Sequence, residues 1–248
     1  MAYIKNRDFY LELSKGNVVN HSDYSAYGIN LDIDSATVPE DIWYNGGIFV
    51  APTTYRVHDI VSSSVSDTAA GTGMRNIKVY GVVAGGLASE TIVLNGTTNV
   101  PTVNSYSDIY LMEGATWGSD LFNVGSISAT AQTDATVTAY ITVNNNATKK
   151  AIRLIPPGYT GYLYDFQAGM QQATASSFAE VYLFIKEGTG WVPKTVHLLS
   201  NTSNTVEIDL FKAPRKLTAG TWIKAQCTSV TNNNTLVHAS FNLILVKN

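Results

Sequence analysis

Residues 61–100 read VSSSVSDTAAGTGMRNIKVYGVVAGGLASETIVLNGTTNV, and this stretch decides the fold class. Ser62 to Gly73 is a small-residue loop, too polar and too flexible to hold a core. Apolar residues then alternate through Ile77 and Val79, a turn falls at Ala84-Gly85-Gly86, and a second alternating run passes through Ile92 and Leu94 before Gly96 closes it. Alternation makes one face of an extended chain apolar, and two such runs joined by a glycine-rich turn predict a β-hairpin. The hairpin carries no set of catalytic side chains, so its meaning is architectural.

The remainder reads in the same way. Charged residues make up only 14% of the 248, and short polar side chains are abundant, which suits strands and turns better than surface helices. No apolar run at helical spacing extends beyond a single turn, so the expectation is all-β. Ser105 to Met112 reads as a strand with Tyr106, Ile109 and Leu111 toward the core, and Val124–Ile127 and Val137–Ala139–Ile141 follow as further strands. Turns fall at Glu113-Gly114, Trp117-Gly118 and Asn144-Asn145-Asn146. The tract Asn144 to Thr148 marks a domain boundary, beyond which a more regular β pattern runs to the C-terminus. There Val181, Leu183 and Ile185 alternate with Tyr182, Phe184 and Lys186, and Val206, Ile208 and Leu210 with Glu207, Asp209 and Phe211. The expected architecture is two antiparallel β-sandwich domains, jelly-roll-like in character, over residues 41–145 and 146–248, preceded by an N-terminal arm over 1–40. Phe9 to Leu13 reads as a short strand within that arm. The arm is expected to pack on a domain or on a neighbouring subunit, because extended backbone with unpaired groups adds to sheet edges.

Composition excludes several functions. The formal net charge is −3, and the basic residues are scattered, so a phosphate-binding surface and a nucleic-acid partner are not expected. The small groups Lys149-Lys150-Arg153 and Lys212-Arg215-Lys216 read as solvated strand ends. The one cysteine, Cys227, shares a face with Ile223 and Ala225 and reads as a buried core thiol. No signal peptide and no bilayer-length apolar run is present, so no membrane partner is expected.

A search for chemistry finds no assembled site. His21, His58, His197 and His238 are dispersed without metal-ligand spacing, although His197 and His238 could meet in the second domain. Asp32 and Asp34 read as solvated carboxylates rather than calcium ligands. No GxSxG elbow occurs, and Gly71-Thr72-Gly73 lacks the Lys-Ser/Thr ending of a phosphate loop. Glu113, Asp120, Glu180 and Glu187 offer carboxylates, but nothing pairs two of them for glycoside cleavage. No catalytic residue, cofactor or metal is therefore assigned, and a non-enzymatic role is expected.

The aromatic residues carry what signal there is. Trp43, beside Tyr44 and the Asn45-Gly46-Gly47 turn, reads as a plug at the end of a sandwich. Tyr182 and Phe184 put apolar groups on the second face of a strand whose first face is already apolar, so both faces need cover. Trp43, Tyr44, Tyr182 and Phe184 are accordingly the interface candidates, and a homo-oligomer, with a trimer among the options, is the expected state. Trp117, Trp191 and Tyr159 are the candidates for stacking on sugar rings under an alternative, glycan-binding reading.

Three segments resemble a known family. SSSVSDTAAGTGMRNIKVYG with SETIVLNGTTNV, the upstream EDIWYNGGIF (Glu40 to Phe49), and the PPGYTGYL run (Pro156 to Leu163) are similar to segments of virion structural proteins from tailed bacteriophages, especially short-tailed ones. The resemblance covers Glu40 to Leu163 and carries no catalytic motif. It implies a virion component. Taken with the all-β architecture, the extendable arm and the sparse charge, the expected role is a head decoration or cement protein contacting other virion proteins such as the major capsid protein. The alternative is a tail-associated adaptor or receptor-binding fibre protein.

Overall fold

The computed structural model describes residues 8–174, 176–202 and 206–248, which form an all-β, antiparallel structure. The N-terminal stretch gives a short helix, α1 (Phe9–Ser14), then β1 (His21–Asp23), β2 (Ala26–Ile33) and β3 (Glu40–Asp41). The middle of the chain gives β4 (His58–Ser62), β5 (Met74–Val83), β6 (Gly86–Val93), β7 (Val100–Pro101), β8 (Asp108–Trp117), β9 (Ile127–Ala131) and β10 (Val137–Ile141). The C-terminal part gives β11 (Ile152–Leu154), β12 (Tyr159–Gln171), β13 (Phe178–Glu187), β14 (Gly190–Ser200), β15 (Val206–Leu217), β16 (Trp222–Val230) and β17 (Thr235–Lys247).

Four sheets result. Sheet I runs β1-β17-β12-β15, with β2 also on β17, and sheet II runs β11-β16-β13-β14, with β3 also on β16. Sheet III runs β10-β9-β4-β7, and sheet IV runs β6-β5-β8. Sheets III and IV enclose a buried cluster that includes Ile60, Ile77, Val79, Ile92, Tyr106, Ile109, Met112 and Ile127. Sheets I and II enclose a larger one built around Leu163, Phe166, Val181, Leu183, Ile223, Cys227, Phe241 and Leu243.

The hairpin of residues 61–100 is β5–β6: Val83 pairs with Gly86 across Ala84–Gly85, and Ile77 faces Ile92. The loop before it departs from expectation. It is closed around Asp67, whose buried carboxylate accepts from the backbone of Met74, Val124 and Gly125 and from the Ser62 hydroxyl, at 2.6–2.9 Å. A loop of small polar residues is thus held by hydrogen bonds instead of apolar packing. On β8, Met112 rather than Leu111 enters the core, because the pairing skips Tyr110 between Tyr80 and Gly81 of β5 and shifts the later side chains by one position.

The N-terminal segment takes the first of its two expected resting places, the chain's own sheets. β1 pairs with the end of β17 (His21 opposite Val246), and β2 with the rest of it (Ala26 opposite Phe241). Tyr24, Ala26, Ile33 and Ile42 join the cluster between sheets I and II. The crossing is close: a Cβ added to Gly28 would lie 2.2 Å from the Ile42 carbonyl oxygen. The segment Phe9 to Leu13, expected as a strand, is instead α1. The Asp8 carboxylate caps it by accepting from the backbone of Tyr10 and Leu11.

Sheets III and IV therefore lie on a long excursion between β3 and β11. The chain leaves at Trp43 and returns at Lys150, and these two residues bridge each other. One further expectation is corrected. Lys150 and Arg153 are buried and not solvated, because the excursion closes over them. On β15, Val206, Ile208 and Leu210 face outward. Glu207 and Asp209 stand opposite the inward-facing Ala168 and Phe166 and bond His197 and Thr195 of β14.

Candidate functional site

The densest polar chemistry lies where the excursion meets sheet II, and it is structural. Lys150 Nζ donates to Asp108 Oδ1 at 2.6 Å, to the Thr138 carbonyl at 2.7 Å and to the Ile109 carbonyl at 3.1 Å, and it stands 4.1 Å from the centre of the Phe49 ring. Burial lowers its proton affinity, and the Asp108 charge opposes that. Asp41 accepts from Lys224 Nζ at 2.7 Å, from Gln226 and from the Phe49 amide, while burial raises its carboxyl above the usual range. Arg153 donates to the carbonyls of Ser25, Tyr110, Lys150 and Ile152 between the rings of Tyr24 and Tyr110, so one guanidinium ties three segments together. Every hydrogen of the Lys150 ammonium is used within the fold.

His197 and the thiol are likewise engaged. His197 has Glu207 Oε2 3.0 Å from Nδ1 and the Phe166 carbonyl 3.3 Å from Nε2, and it stacks on the Phe166 ring. His238 lies on the other side of sheet I near Tyr27, so the two histidines do not meet. The Cys227 thiol donates to the Ser229 carbonyl, and burial pushes its pKa up to about 12. Among the described residues, no group of three His, Cys, Asp or Glu could hold a metal ion, and no helix is long and apolar enough to cross a membrane.

The interface candidates separate. Trp43 is buried against Phe49 and Ile152, so the surface it covers is this chain's own. Tyr44 is half-buried and donates its hydroxyl to Asn145 Oδ1 at 2.6 Å, across the neck of the excursion. Tyr182 and Phe184 stay half-buried on the outer face of sheet II with ring centres 5.6 Å apart. Beside them, on β14, Val196 and Leu198 are exposed. On the outer face of sheet I, β15 shows Val206, Ile208 and Leu210 at 53, 57 and 75% exposure.

The stacking candidates also separate. Trp117 and Trp191 are each 36% exposed, and Tyr159 is half-buried against the core between sheets I and II. Trp117 donates its indole N–H to Asn146 and lies over Gly114. Trp191 instead lines a groove of about 450 Å³ with Lys186, Trp222, Phe49 and the segment Val50–Thr53. Lys186, Trp222 and Phe49 were not singled out from sequence. A signal for the first was present: the short turn after Glu187 places Trp191 opposite Lys186 in the β13–β14 hairpin.

No protein-family model matches the chain, and no curated protein matches it.

Proposed function

We propose that the chain is a non-enzymatic structural subunit of a bacteriophage virion, acting as a decoration or cement protein on the head. The observation that carries this reading is the contrast between its polar interior and its outer faces. Buried acids and bases are spent on internal hydrogen bonds, while Val196, Leu198, Val206, Ile208 and Leu210 stand in water on adjoining edge strands. Rows of exposed apolar groups on outer sheet faces mark surfaces that neighbours cover. Burial of such area contributes roughly 25 cal/mol per Å² before association costs, and many symmetric copies add up weak contacts. The neighbours in this reading are further copies of the chain, a trimer among the arrangements, and the major capsid protein.

Two further points support it. The resemblance of Glu40 to Leu163 to virion proteins of short-tailed phages points to the same class. The strand pairing of sheets I and II supports the reading of this part as a jelly roll, a fold common in viral shells. β2 pairs with β17, β11 with β16, β12 with β15 and β13 with β14, so that the first strand lies beside the last and each next pair nests inside. In this reading the N-terminal segment supplies the first strand of the roll, and sheets III and IV form a second unit inserted after it.

The test is to locate the protein in intact particles by cryo-electron microscopy and count its copies. Copies arrayed over the head lattice with β14 and β15 at a contact are the expected result. A few copies at the tail would overturn the cement role in favour of the adaptor or receptor-binding reading, which has the exposed Trp191 groove in its favour.

A further inference from the structure

The outer face of sheet II carries a row of side chains beside the Trp43–Phe49–Ile152 cluster. Ile185 of β13 stands opposite Ile223 of β16, which sets Lys186 beside Trp222, and Lys186 stands directly opposite Trp191 of β14. All three point away from the core: the intervening Ile185 and Ile223 are buried inside it, and alternation sends their neighbours outward. The row reads Trp222, Lys186, Trp191 across three adjacent strands. With strands ~4.8 Å apart, the backbones of Trp222 and Trp191 stand ~10 Å apart, with Lys186 on the strand between them.

The surroundings hold the row in place. Lys224, anchored by Asp41 at 2.7 Å, sits 4.7 Å from the centre of the Trp191 ring and fixes one side of that indole. Phe49 packs against Trp222 with ring centres 5.5 Å apart. The wall at Thr53 is pinned by Asp134, which accepts from the Thr53 backbone and hydroxyl and from Arg56. A groove built on sheet strands and pinned at its wall loses little entropy when filled. Its volume of about 450 Å³ lies within the ~300–1,000 Å³ usual for ligand sites. Lys186 is half-buried, and among the described residues it has no carboxylate partner.

We propose that this groove binds an acidic oligosaccharide of the uronate type, with sugar faces on the Trp191 and Trp222 indoles and a carboxylate on Lys186. Charge complementarity selects the occupant. A lysine without a carboxylate partner among the described residues favours an anionic ligand. Aromatic rings on either side of it favour an anion carried on flat, C–H-lined rings, as in a chain of pyranoses. A peptide with clustered carboxylates would satisfy the lysine and leave both indoles unfilled. This site uses the Trp191 end of β14, whereas the proposed contacts use Val196 and Leu198 further along that strand and the outer residues of β15, so its failure would leave the virion role untouched.

The experiment titrates the intact protein by calorimetry with an oligogalacturonate hexasaccharide, with its carboxyl-reduced neutral counterpart, and with an oligoglutamate of equal charge. The expected result is binding of the uronate about tenfold tighter than either control. Lys186→Gln removes the preference for the acid over the neutral sugar, and Trp191→Ala weakens both sugars about tenfold. Trp117→Ala, which changes an equally exposed indole elsewhere, leaves binding unaltered. Melting temperatures confirm that each variant is folded, and Lys186→Gln, an exposed-side change, keeps the test valid if Trp191→Ala is not. Failure of the uronate to bind, equal affinity for the uronate and either control, or an unchanged preference in Lys186→Gln would overturn the proposal.

Discussion

The carboxylate of Asp67 is fully buried and, among the described residues, has no cation against it; its charge rests on four hydrogen-bond donors. Replacing it by alanine strands the amides of Met74, Val124 and Gly125, each costing about 1–3 kcal/mol when buried without a partner. Asp67→Ala is therefore expected to lose about 3 kcal/mol or more in urea unfolding, and a loss under about 1 kcal/mol would refute the anchoring role. Asp67→Asn gains little back, since its amide nitrogen would face N–H donors. His58 makes a pH-dependent contribution of known sign. Its Nδ1 lies 2.9 Å from the Arg56 carbonyl, Nε2 is buried without a partner among the described residues, and burial pulls its pKa from 6.5 to about 4. The unfolded chain thus takes up a proton more readily than the folded one. Stability contributed by neutral His58 is complete above pH 6.5, falls as the pH drops through the window from 6.5 to about 4, and changes no further below it. The slope from this residue is at most about 1.4 kcal/mol per pH unit. Denaturation midpoints between pH 7 and pH 4 should show this decline in the native protein and a shallower one in His58→Gln; parallel curves would remove His58 from the account.

At the scale of elements, what the sequence made legible depended on whether one face of a strand was settled by apolar alternation alone. The β5–β6 hairpin satisfied that condition, and Ile77, Val79 and Ile92 are buried as the alternation requires. On β15 the alternation is equally clear but the buried side is the acidic one: Glu207 and Asp209 find His197 and Thr195, and the apolar residues are left outside. No local pattern reports a partner strand's hydrogen-bonding needs, so the alternation alone does not say which face is buried. On β8 a single skipped residue moved Met112 inward and Leu111 outward, a shift that depends on β5 and is invisible in β8 itself. Helix α1 was a different case, because its signals were present: Asp8 as cap, Glu12 in the first turn and Gly16 in the left-handed conformation just past the end. The outward row on β15 yields a prediction. Changing Ile208 and Leu210 to threonine removes exposed apolar groups that support nothing inside, so unfolding free energy should move by less than about 0.5 kcal/mol per site. Self-association measured by sedimentation, or attachment to particles, should weaken. A large loss of stability with association unchanged would show that the row serves the fold instead.

At the scale of the whole molecule, the N-terminal segment and the C-terminal sheets are one structure although the whole excursion of sheets III and IV separates them in sequence. The order of the sequence hid this, because a weakly patterned stretch such as Tyr24 to Ile33 gains its meaning only from β17, which lies at the far end. Together β1 and β2 cover β17 from Thr235 to Val246, and β3 adds Glu40 and Asp41 to β16 beside Cys227 and Gln226. Removing residues 1–41 would open the edge of β17, take Tyr24, Ala26 and Ile33 out of the core, and leave Lys224 buried without Asp41. An open, apolar edge strand pairs with other chains, so this deletion should give aggregated or unfolded protein. Deleting only residues 1–19, which removes α1 and leaves β1 to β3 in place, should keep a cooperative melt. The deciding measurement is complementation: a peptide spanning residues 20–41, co-expressed with the 42–248 fragment, should restore solubility by re-forming the β17 pairing. If the 42–248 fragment instead folds alone with an undiminished melting temperature, the segment is an appendage, and the nested strand pairing between the two ends of the chain is not what holds the sheets together.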